Sequence, residues 1–308
     1  QFNPFIKKTF NEQIKKEEYL ALVTEYFTNF LKPAKSEFEF DNRGAYIQYI
    51  KDHNFRAYKA HTVTKDGRTT YRMEVVKSIE ECRIANFLLF NGVDYKYEFP
   101  YEHETATLDK RQYKPDFTIF QNGERIYLEH QAISKDGSVP KFFATEGMTQ
   151  EQANQKYWSK IKWQRQTHQQ HGTRLIETYS YEMFDGSWAK SLTDRLQDAG
   201  ITLYPKSPKE IWEIINHTAS DEVDSFVTLF QTFITLMKSN DFSVHDLFER
   251  NALVKDEVLA ERNRRFIQII QSIYEQYEAH LAERQEIDFS DMINRATAYI
   301  AEGAYSKK

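Results

Sequence analysis

The stretch "YKPDFTIFQNGERIYLEHQ", residues 113 to 131, decides the fold. Two apolar-rich runs flank Asn122-Gly123, the dipeptide that best supplies the two positive-φ residues of a type I′ turn. Pairing outward from this turn places Asp116 directly opposite Glu129. Two carboxylates that face each other across a strand pair lie about 5 Å apart, and they repel unless a positive group lies between them. The sequence therefore predicts a β-hairpin with an acidic pair on one face.

The bulk composition indicates a folded protein without a uniformly basic surface. The 308 residues suffice for two domains, and 10 Gly and 7 Pro leave little room for long flexible linkers. The net charge of −5 excludes a basic coat over the whole surface but allows a local basic patch. Cys82 is the single cysteine, and the sequence contains neither a signal peptide nor an apolar run of about 20 residues. We therefore expect a cytoplasmic protein that does not bind a membrane.

The periodicity of the apolar residues predicts the order helix, three strands, helix and strand in the middle of the chain, between mostly helical ends. The predicted middle elements are a helix over 78–92, a strand over 93–101, the two hairpin strands, a helix over 151–172 and a strand over 173–181. The predicted outer elements are a helix over 8–32, a short helix over 43–52, a hairpin of 58–64 and 69–76 joined by Lys65-Asp66-Gly67, a helix over 187–200, and only helices from about Ser207 onward. We therefore expect an N-terminal helical region with a hairpin (1–76), a central α/β domain (77–204) and a C-terminal helical region (205–308).

The αβββαβ order, with facing acids on its second and third strands, resembles the PD-(D/E)xK nuclease core, the fold of restriction endonucleases. The Pro-Asp of that motif is Pro115-Asp116 here, and the (D/E)xK position reads Glu129-His130-Gln131. The resemblance implies a restriction-endonuclease-like mixed sheet in which Asp116 and Glu129 hold Mg²⁺ or Mn²⁺. Such an ion polarises a phosphodiester and lowers the pKa of a bound water. The residues alone leave open that the acids are solvated on an exposed face.

Gln131 stands where the nuclease family normally carries a lysine. A glutamine can hydrogen-bond a phosphate or a water and so orient it, but it brings no charge. The predicted register places Lys114 opposite Gln131, where it is a candidate replacement for that charge or a partner of one acid. Lys156 and Lys160, one turn apart on the following helix, are further candidates, and Lys160 is the candidate for a catalytic role. Each of these lysines also has an ordinary interpretation as a solvated surface residue.

Glu81 is a third candidate metal ligand, because members of the nuclease family often carry an acid on the first helix. The alternative comes from the local sequence. Ser78-x-x-Glu81 has the spacing of a capping box, in which the glutamate accepts a hydrogen bond from a backbone N–H at the start of the helix.

The segment 134–175 carries seven basic and three acidic residues, which favours a polyanionic partner. Aromatic residues interleave with these charges, either to stack on bases or to pack on the sheet. His168-x-x-His171 has the spacing of a metal-binding pair, but it lies near a helix end without acids close by. The predicted DNA-binding residues are Lys114, Lys156, Lys160, Lys162 and Arg165.

A wider resemblance covers roughly residues 36 to 300. The stretches "VKSIEECRIANFLLFNGVDYKYEFPY", "YKPDFTIF", "IYLEHQAI" and "WQRQTHQQHGTRLIETYSY" look like the central insertion of UvrD/Rep-like superfamily 1 DNA helicases, closest to the DNA helicase IV branch. The downstream "RRFIQIIQSIYEQYEAHLAERQEIDFSDMINRA" is similar to the part of those helicases in which an Asp-Phe-x-Asp stretch, here Asp288 to Asp291, precedes the strand with the Asp-Glu of the ATPase site. That branch commonly shows Glu-His-Phe-Gly where this chain has Glu129 to Ala132, so the nuclease lysine is often absent there too.

This resemblance implies an internal segment of an ATP-dependent DNA helicase. The chain itself contains no G-x-x-x-x-G-K-[ST] phosphate loop, so ATP would bind only to the parent protein. The phosphate loop would lie upstream of Gln1 and the hydrolysis motifs downstream of Lys308. We therefore expect a DNA-engaging segment whose partners are DNA and the remaining helicase domains, with Mg²⁺-dependent phosphodiester cleavage as its candidate activity. The alternatives are a catalytically inactive DNA-binding module of the same fold and a protein-interaction scaffold in which the acids are incidental.

Overall fold

The computed structural model describes residues 2–30, 35–52, 68–108 and 110–303. The α-helices are α1 (Phe2–Gln13), α2 (Glu17–Glu25), α3 (Arg43–Asp52), α4 (Ile79–Phe90), α5 (Gln150–His171), α6 (Ser180–Asp185), α7 (Trp188–Asp198), α8 (Pro208–Thr218), α9 (Ser220–Ser239), α10 (Val244–Ala252), α11 (Glu257–Arg284) and α12 (Phe289–Ala301). The strands are β1 (Arg68–Thr69), β2 (Val75–Val76), β3 (Tyr95–Tyr97), β4 (Phe117–Gln121), β5 (Glu124–Gln131) and β6 (Arg174–Tyr179). In these described residues, no helix has the length and apolar content that spanning a bilayer requires.

The chain divides into two compact units. The first consists of Gln1–Leu31 and Ile215–Lys308, and the second is Lys32–Ile214. This division differs from the expected boundaries at 76/77 and 204/205. The N-terminal helices α1 and α2 pack against α9 and α11 rather than forming a region of their own, whereas β1 and β2 pack on α4 and so belong with the central sheet.

The first unit is a helical assembly around an aromatic core. Phe10, Phe27, Phe226 and Phe230 are almost completely buried, and the rings of Phe226 and Phe230 lie 4.7 Å apart. The predicted single helix over 8–32 is wrong in extent. The structure instead has α1, a break at 14–16, α2 and a π-helical turn over 26–30. The second helix begins with two glutamates, and carboxylates are favoured in a first turn by the helix dipole.

The second unit is built on a four-stranded mixed sheet of order β3-β4-β5-β6. The β3–β4 and β4–β5 pairs are antiparallel, whereas β6 is parallel to β5 and follows it through α5. The predicted order of helix, three strands, helix and strand is confirmed. The predicted hairpin register is confirmed as well, since β4 pairs with β5 from Gln121↔Glu124 to Phe117↔Leu128. Asn122 and Gly123 have φ values of +54° and +81°, as a type I′ turn requires.

The two faces of this sheet pack against different helices, and this separation positions the site. On one face, α4 and α7 cover an apolar core that includes Leu88, Leu128 and Leu192. On the other face, a cluster of buried tyrosines packs against Trp163 of α5. Because side chains alternate along a strand, Glu129 and Gln131 point toward α5, whereas His130 points toward α4.

Local signals set most element boundaries of the second unit. Ser78 caps α4, and Gly172, with φ +65°, ends α5. The predicted strand 58–64 and the predicted turn at Lys65-Asp66-Gly67 lie outside the described residues. Two other predictions need correction. The stretch 69–76, predicted as one strand, instead folds back on itself in the tight β1–β2 hairpin of 68–76. The strand predicted over 173–181 ends at Tyr179, because α6 begins at the next residue.

Candidate functional site

The two acids of the hairpin meet at the end of the β4–β5 ladder. Asp116 lies immediately before β4, and its Oδ2 accepts a hydrogen bond from the backbone N–H of His130 at 2.8 Å. Glu129 lies within β5 and is only 1% exposed. Its Oε1 accepts a hydrogen bond from the Tyr113 hydroxyl at 2.7 Å, while its Oε2 has no hydrogen-bond partner among the described residues. One acidic oxygen is therefore held in place, and a second is buried without a donor.

The acid pair binds protons more tightly than solvated carboxyls do. Burial raises the pKa of Asp116 to about 7, and the negative charge of Glu129 adds to the rise, whereas the Lys160 ammonium opposes it. Burial also raises the pKa of Glu129 above its ordinary value, against the opposing effects of Lys160 and the Tyr113 hydroxyl. The Nζ of Lys160 lies 3.9 Å from Glu129 Oε2, and the lysine side chain is half exposed. One solvated ammonium at this distance does not neutralise two adjacent carboxylates.

Gln131 adds a further buried acceptor on the same face of β5. Its side chain is fully buried, its Nε2 donates to Gln164 Oε1 at 3.2 Å, and its Oε1 has no hydrogen-bond partner among the described residues. The prediction that Lys114 lies opposite Gln131 is wrong, because β4 begins at Phe117 and the ladder ends before it reaches Lys114. The neighbour of Gln131 is instead Tyr179 of β6.

Two buried oxygens at this face lack a hydrogen-bond donor among the described residues. Buried acceptors in folded proteins are nearly always hydrogen-bonded, and an unpaired one is destabilising. Glu129 Oε2 and Gln131 Oε1 are both left without a donor among the described residues. A cation or a bound water satisfies acceptors of this kind.

Glu81 serves mainly as a structural residue at the start of α4. Ser78 Oγ accepts the Glu81 N–H at 3.0 Å, so the predicted cap is present. The Glu81 carboxylate accepts from the Tyr97 hydroxyl at 2.6 Å and from the Lys77 N–H at 3.0 Å, rather than from Ser78. Burial raises the pKa of Glu81, and the negative charge of Asp116 adds to this rise.

Within the part of the chain that the structure describes, no group of three or more Asp, Glu, His or Cys side chains is arranged to hold a metal ion. The proposed ligand set of Asp116, Glu129 and Glu81 is therefore not assembled as three ligands. A two-carboxylate site remains compatible with Mg²⁺, which keeps several waters and takes one or two protein carboxylates.

A surface pocket of about 790 Å³ opens beside Glu129. Its lining comes mainly from the segment before β4 and from α5, and it holds a single acidic residue, Glu98, which pairs with one of the lysines. Tyr113 and Lys160 belong to this lining and also contact Glu129, so the pocket is joined directly to the acid pair. The basic residues of the lining are Lys77, Lys110, Arg111, Lys114, Lys156 and Lys160.

The structure separates the predicted DNA-binding residues into two groups. Lys114, Lys156 and Lys160 line the pocket. Lys162 is exposed but outside the lining, and Arg165 is bound to Glu177, with Nε 2.9 and 3.1 Å from its carboxylate oxygens. Lys156 and Lys160 are four residues apart and so share one face of α5. Lys162 and Arg165 follow Lys160 by two and five positions, and their side chains point to other faces of the helix.

Sequence analysis missed Lys77, Lys110 and Arg111, which complete the basic lining. Lys77 lies between β2 and α4, and the other two lie in the long connection between β3 and β4, where no periodicity assigns a direction to a side chain. Gln112 organises this connection, since its amide donates to the carbonyls of Tyr101 and His103 at 2.9 and 2.8 Å and accepts from the Thr105 N–H at 2.9 Å. The sequence gives no local signal for such contacts.

His130 is a packed residue of the opposite face, as its position predicts. Its Nε2 donates to Glu80 at 2.6 Å, and its Nδ1 lies 2.9 Å from the Thr178 hydroxyl. The Ser180 hydroxyl also donates to Glu80. Burial opposes a charge on the imidazole, but the Glu80 carboxylate holds the pKa of His130 above its ordinary value. The four residues of this network are buried, and none of them belongs to the pocket lining.

The chain stands apart from the proteins with which it was compared. No family model, curated protein or solved structure matches it. Its own side chains place a pocket with a basic lining beside Glu129, and Asp116 lies at the end of the same strand pair.

Proposed function

We propose that the second unit is a nuclease-like module that binds DNA in the basic pocket and a divalent cation at Asp116 and Glu129. The observation that carries this proposal is that Tyr113 and Lys160 both line the pocket and contact Glu129. The αβββαβ order and the mixed sheet support a restriction-endonuclease-like core. Phosphate groups in the pocket would thus lie next to the acids.

The residues present fit a hard cation. Asp116 and Glu129 would hold Mg²⁺ or Mn²⁺, because both ions prefer oxygen ligands and the Glu129 Oε2 has no hydrogen-bond partner among the described residues. A bound divalent ion would supply a water of lowered pKa and polarise a phosphodiester. Its charge would also relieve the repulsion that, together with burial, raises the pKa of Asp116.

The other side chains have separate roles in this proposal. Lys160 supplies the positive charge that Gln131 lacks, since its half-exposed ammonium lies at the junction of the pocket and the acids. Lys114 and Lys156 bind backbone phosphates. Gln131 is buried behind the acids with its amide held by Gln164, so it orients the ligands of the site from behind and does not reach the pocket.

The parent protein is proposed to be an ATP-dependent DNA helicase of the UvrD/Rep-like type. The support is the ordered set of stretches that resemble that family. The test is the complete coding sequence, which should encode a phosphate-loop motif upstream of Gln1 and the hydrolysis motifs downstream of Lys308. A coding sequence without them would remove the helicase assignment and leave the nuclease-like module as a separate question.

The activity is tested by incubating the full chain with labelled single- and double-stranded DNA in Mg²⁺, Mn²⁺ or EDTA. We expect metal-dependent cleavage by the wild type and its loss in Asp116→Asn and Glu129→Gln. The matched control is Glu146→Gln, because Glu146 is an exposed acid outside the pocket lining. Cleavage that persists in both site variants would show that these carboxyls are not involved.

Binding without cleavage is a second candidate function, favoured by one observation. The position that normally carries a lysine is a buried and uncharged glutamine. In that case the wild type would bind DNA with an affinity that falls steeply with salt, and no condition would yield cleavage products. Absent or salt-insensitive binding would instead favour a protein-interaction scaffold.

A further inference from the structure

A chain of hydrogen bonds runs from Glu129 to the C-terminal end of α5. The Tyr113 hydroxyl donates to Glu129 Oε1 at 2.7 Å and lies 3.2 Å from His168 Nε2. The Nδ1 of His168 lies 2.7 Å from the Thr173 hydroxyl, which lies 2.6 Å from the Tyr101 hydroxyl. No step of this chain exceeds 3.2 Å, and the side chains are packed ring against ring, with the Tyr101 and His168 rings 5.0 Å apart.

When Glu129 is ionised, the donors and acceptors of these hydrogen bonds allow one direction. A hydroxyl has a single proton to donate, and Tyr113 gives its own to Glu129. The Tyr113 oxygen must therefore accept from His168, which places the imidazole proton on Nε2. The Nδ1 of His168 then accepts from Thr173, and Thr173 accepts from Tyr101. The network thus selects the neutral Nε2–H tautomer of His168, and burial, followed by the neighbouring His171, lowers the pKa of His168 to about 4.

The end of α5 sets the position of the distal half of the chain. Gly172 has φ +65° and ends the helix, and the Thr173 N–H then donates to the His168 carbonyl at 3.0 Å. This turn brings the Thr173 hydroxyl against the ring of His168. The orientation of the imidazole is therefore determined by the helix terminus rather than by the acid pair.

We propose that His168 is a positioning residue, which acts through Tyr113 to hold Glu129 with its Oε1 occupied and its Oε2 facing the cation and Lys160. This inference rests on the proposed cation at Asp116 and Glu129. Oε2 is the oxygen that lacks a hydrogen-bond partner among the described residues and the one that lies 3.9 Å from Lys160 Nζ. Tyr113→Phe would remove the hydrogen bond that Oε1 accepts at 2.7 Å and so loosen the orientation of the carboxylate.

The test uses the full chain with Mn²⁺ alone as the probe and three variants. Tyr113→Phe removes the donor to Glu129, and His168→Phe keeps a packed ring without hydrogen bonds. His168→Gln keeps an amide donor near the position of Nε2. Substituting a residue that hydrogen-bonds to a metal ligand typically weakens metal binding by about 10-fold or more. We expect both phenylalanine variants to bind Mn²⁺ about 10-fold more weakly than the wild type, and the glutamine variant to recover part of that loss.

The matched control is His171→Gln, because His171 lies on the same turn of α5 but stacks on His103 at 4.1 Å and makes none of the hydrogen bonds described above. Its Mn²⁺ affinity should equal that of the wild type. Phenylalanine variants that bind Mn²⁺ as the wild type does would overturn the proposal. A His171→Gln variant as weak as His168→Phe would also overturn it, since the effect would then reflect general packing.

Two NMR readouts are independent of the cation. Imidazole nitrogen shifts at pH 7 should show His168 as the neutral Nε2–H tautomer, and an Nδ1–H tautomer or a charged ring would contradict the proposed direction. The Glu129 carboxyl carbon shift should change in Tyr113→Phe and His168→Phe but not in His171→Gln. If the wild type binds no Mn²⁺, the cation site of the proposed function is wrong, and the carboxyl shifts alone decide whether His168 positions Glu129.

Discussion

Each unit of the chain holds a cluster of carboxylates, and the two clusters differ in how closely a lysine ammonium is bound to them. In the first unit, Lys238 is only 6% exposed, and its Nζ lies 2.6 Å from Glu278, 2.8 Å from Asp288 and 2.9 Å from Asp291. In the second unit, the nearest ammonium to Glu129 is 3.9 Å away and half exposed. The first cluster therefore contains its counterion, whereas the second holds more acid than its single lysine balances.

The pKa values follow this difference. Burial opposes ionisation of Asp288, yet the contact with Lys238 holds the pKa of Asp288 below its ordinary value. Burial also opposes a charge on Lys238, but its carboxylate partners raise the pKa of that lysine. Burial and the adjacent Glu129 carboxylate instead raise the pKa of Asp116 to about 7. The same residue types are thus matched in charge in one unit and unmatched in the other.

The largest expected effect comes from removing the lysine of the first cluster. Lys238→Met removes the buried cation and leaves three acids facing one another, and breaking a buried ion pair in this way costs about 3–5 kcal/mol. We expect the free energy of unfolding to fall by about 3 kcal/mol, at the low end of this range, because Glu278 remains partly exposed to water. Urea unfolding monitored by circular dichroism measures this free energy, with separate transitions fitted for the two units if they appear.

Lys190→Met is the matched control for that change. Lys190 forms an i,i+4 pair with Asp194, but its side chain is 81% exposed. Exposed pairs of this kind contribute about 0.3–0.5 kcal/mol. Equal effects for Lys190→Met and Lys238→Met would show that the Lys238 cluster does not stabilise its unit.

A smaller effect on the free energy of unfolding, of opposite sign, is expected when the charge of Asp116 in the second unit is removed. Asp116 has a folded-state pKa of about 7, above the ordinary value of 3.8, so the folded protein binds more protons than the unfolded chain between these values. Its contribution to stability is therefore lost as pH rises from about 4 to about 7. Asp116→Asn keeps an acceptor for the His130 N–H without the charge, and we expect it to stabilise the protein by about 2 kcal/mol at pH 8 in EDTA.

The pH profile decides this prediction. The stability difference between Asp116→Asn and the wild type should be near zero at pH 4 and should grow up to about pH 7. Asp136→Asn should not show this gain, because hydrogen bonds from Ser134 and Ser138 lower the pKa of Asp136 to about 2. A variant that is less stable than the wild type at pH 8 would mean that the acid pair is not strained by its own charge.

The smallest expected effect is on the salt dependence of DNA binding, and it compares two lysines of α5. Lys156 lines the pocket, whereas Lys162 lies on the same helix outside it. A lysine that contacts a phosphate contributes about one unit to the slope of log affinity against log salt. Lys156→Ala should reduce that slope by about one, and Lys162→Ala should leave it unchanged, as measured by fluorescence anisotropy with labelled DNA. Equal changes would place the DNA on a broader surface of α5.

The hairpin and the order of the central elements were predictable because their signals are local. The Asn122-Gly123 turn fixes the register, and Ser78 and Gly172 mark helix ends. The same register failed for Lys114, since a pairing rule says nothing about where a strand begins. The single helix expected over 8–32 failed because apolar spacing alone does not report a break between two helices.

The remaining features depend on residues far apart in the chain. Lys238 meets carboxylates 40 to 53 positions away, and His130 meets Glu80 across 50 positions. Lys110 and Arg111 join the pocket through a connection that one glutamine organises. His168 was considered only as half of a metal-binding pair, whereas its place in the tyrosine chain depends on the turn that ends α5.

The alternation of side chains along β5 makes the chemistry of the site depend on the length of a distant turn. Glu129 lies six residues beyond Gly123, roughly 20 Å along the strand. A slip of one residue in the β4–β5 pairing would turn Asp116 toward the apolar core beneath α4 and away from Glu129. A single inserted or deleted residue at the tip of the hairpin, with every acid and lysine unchanged, would therefore abolish the site.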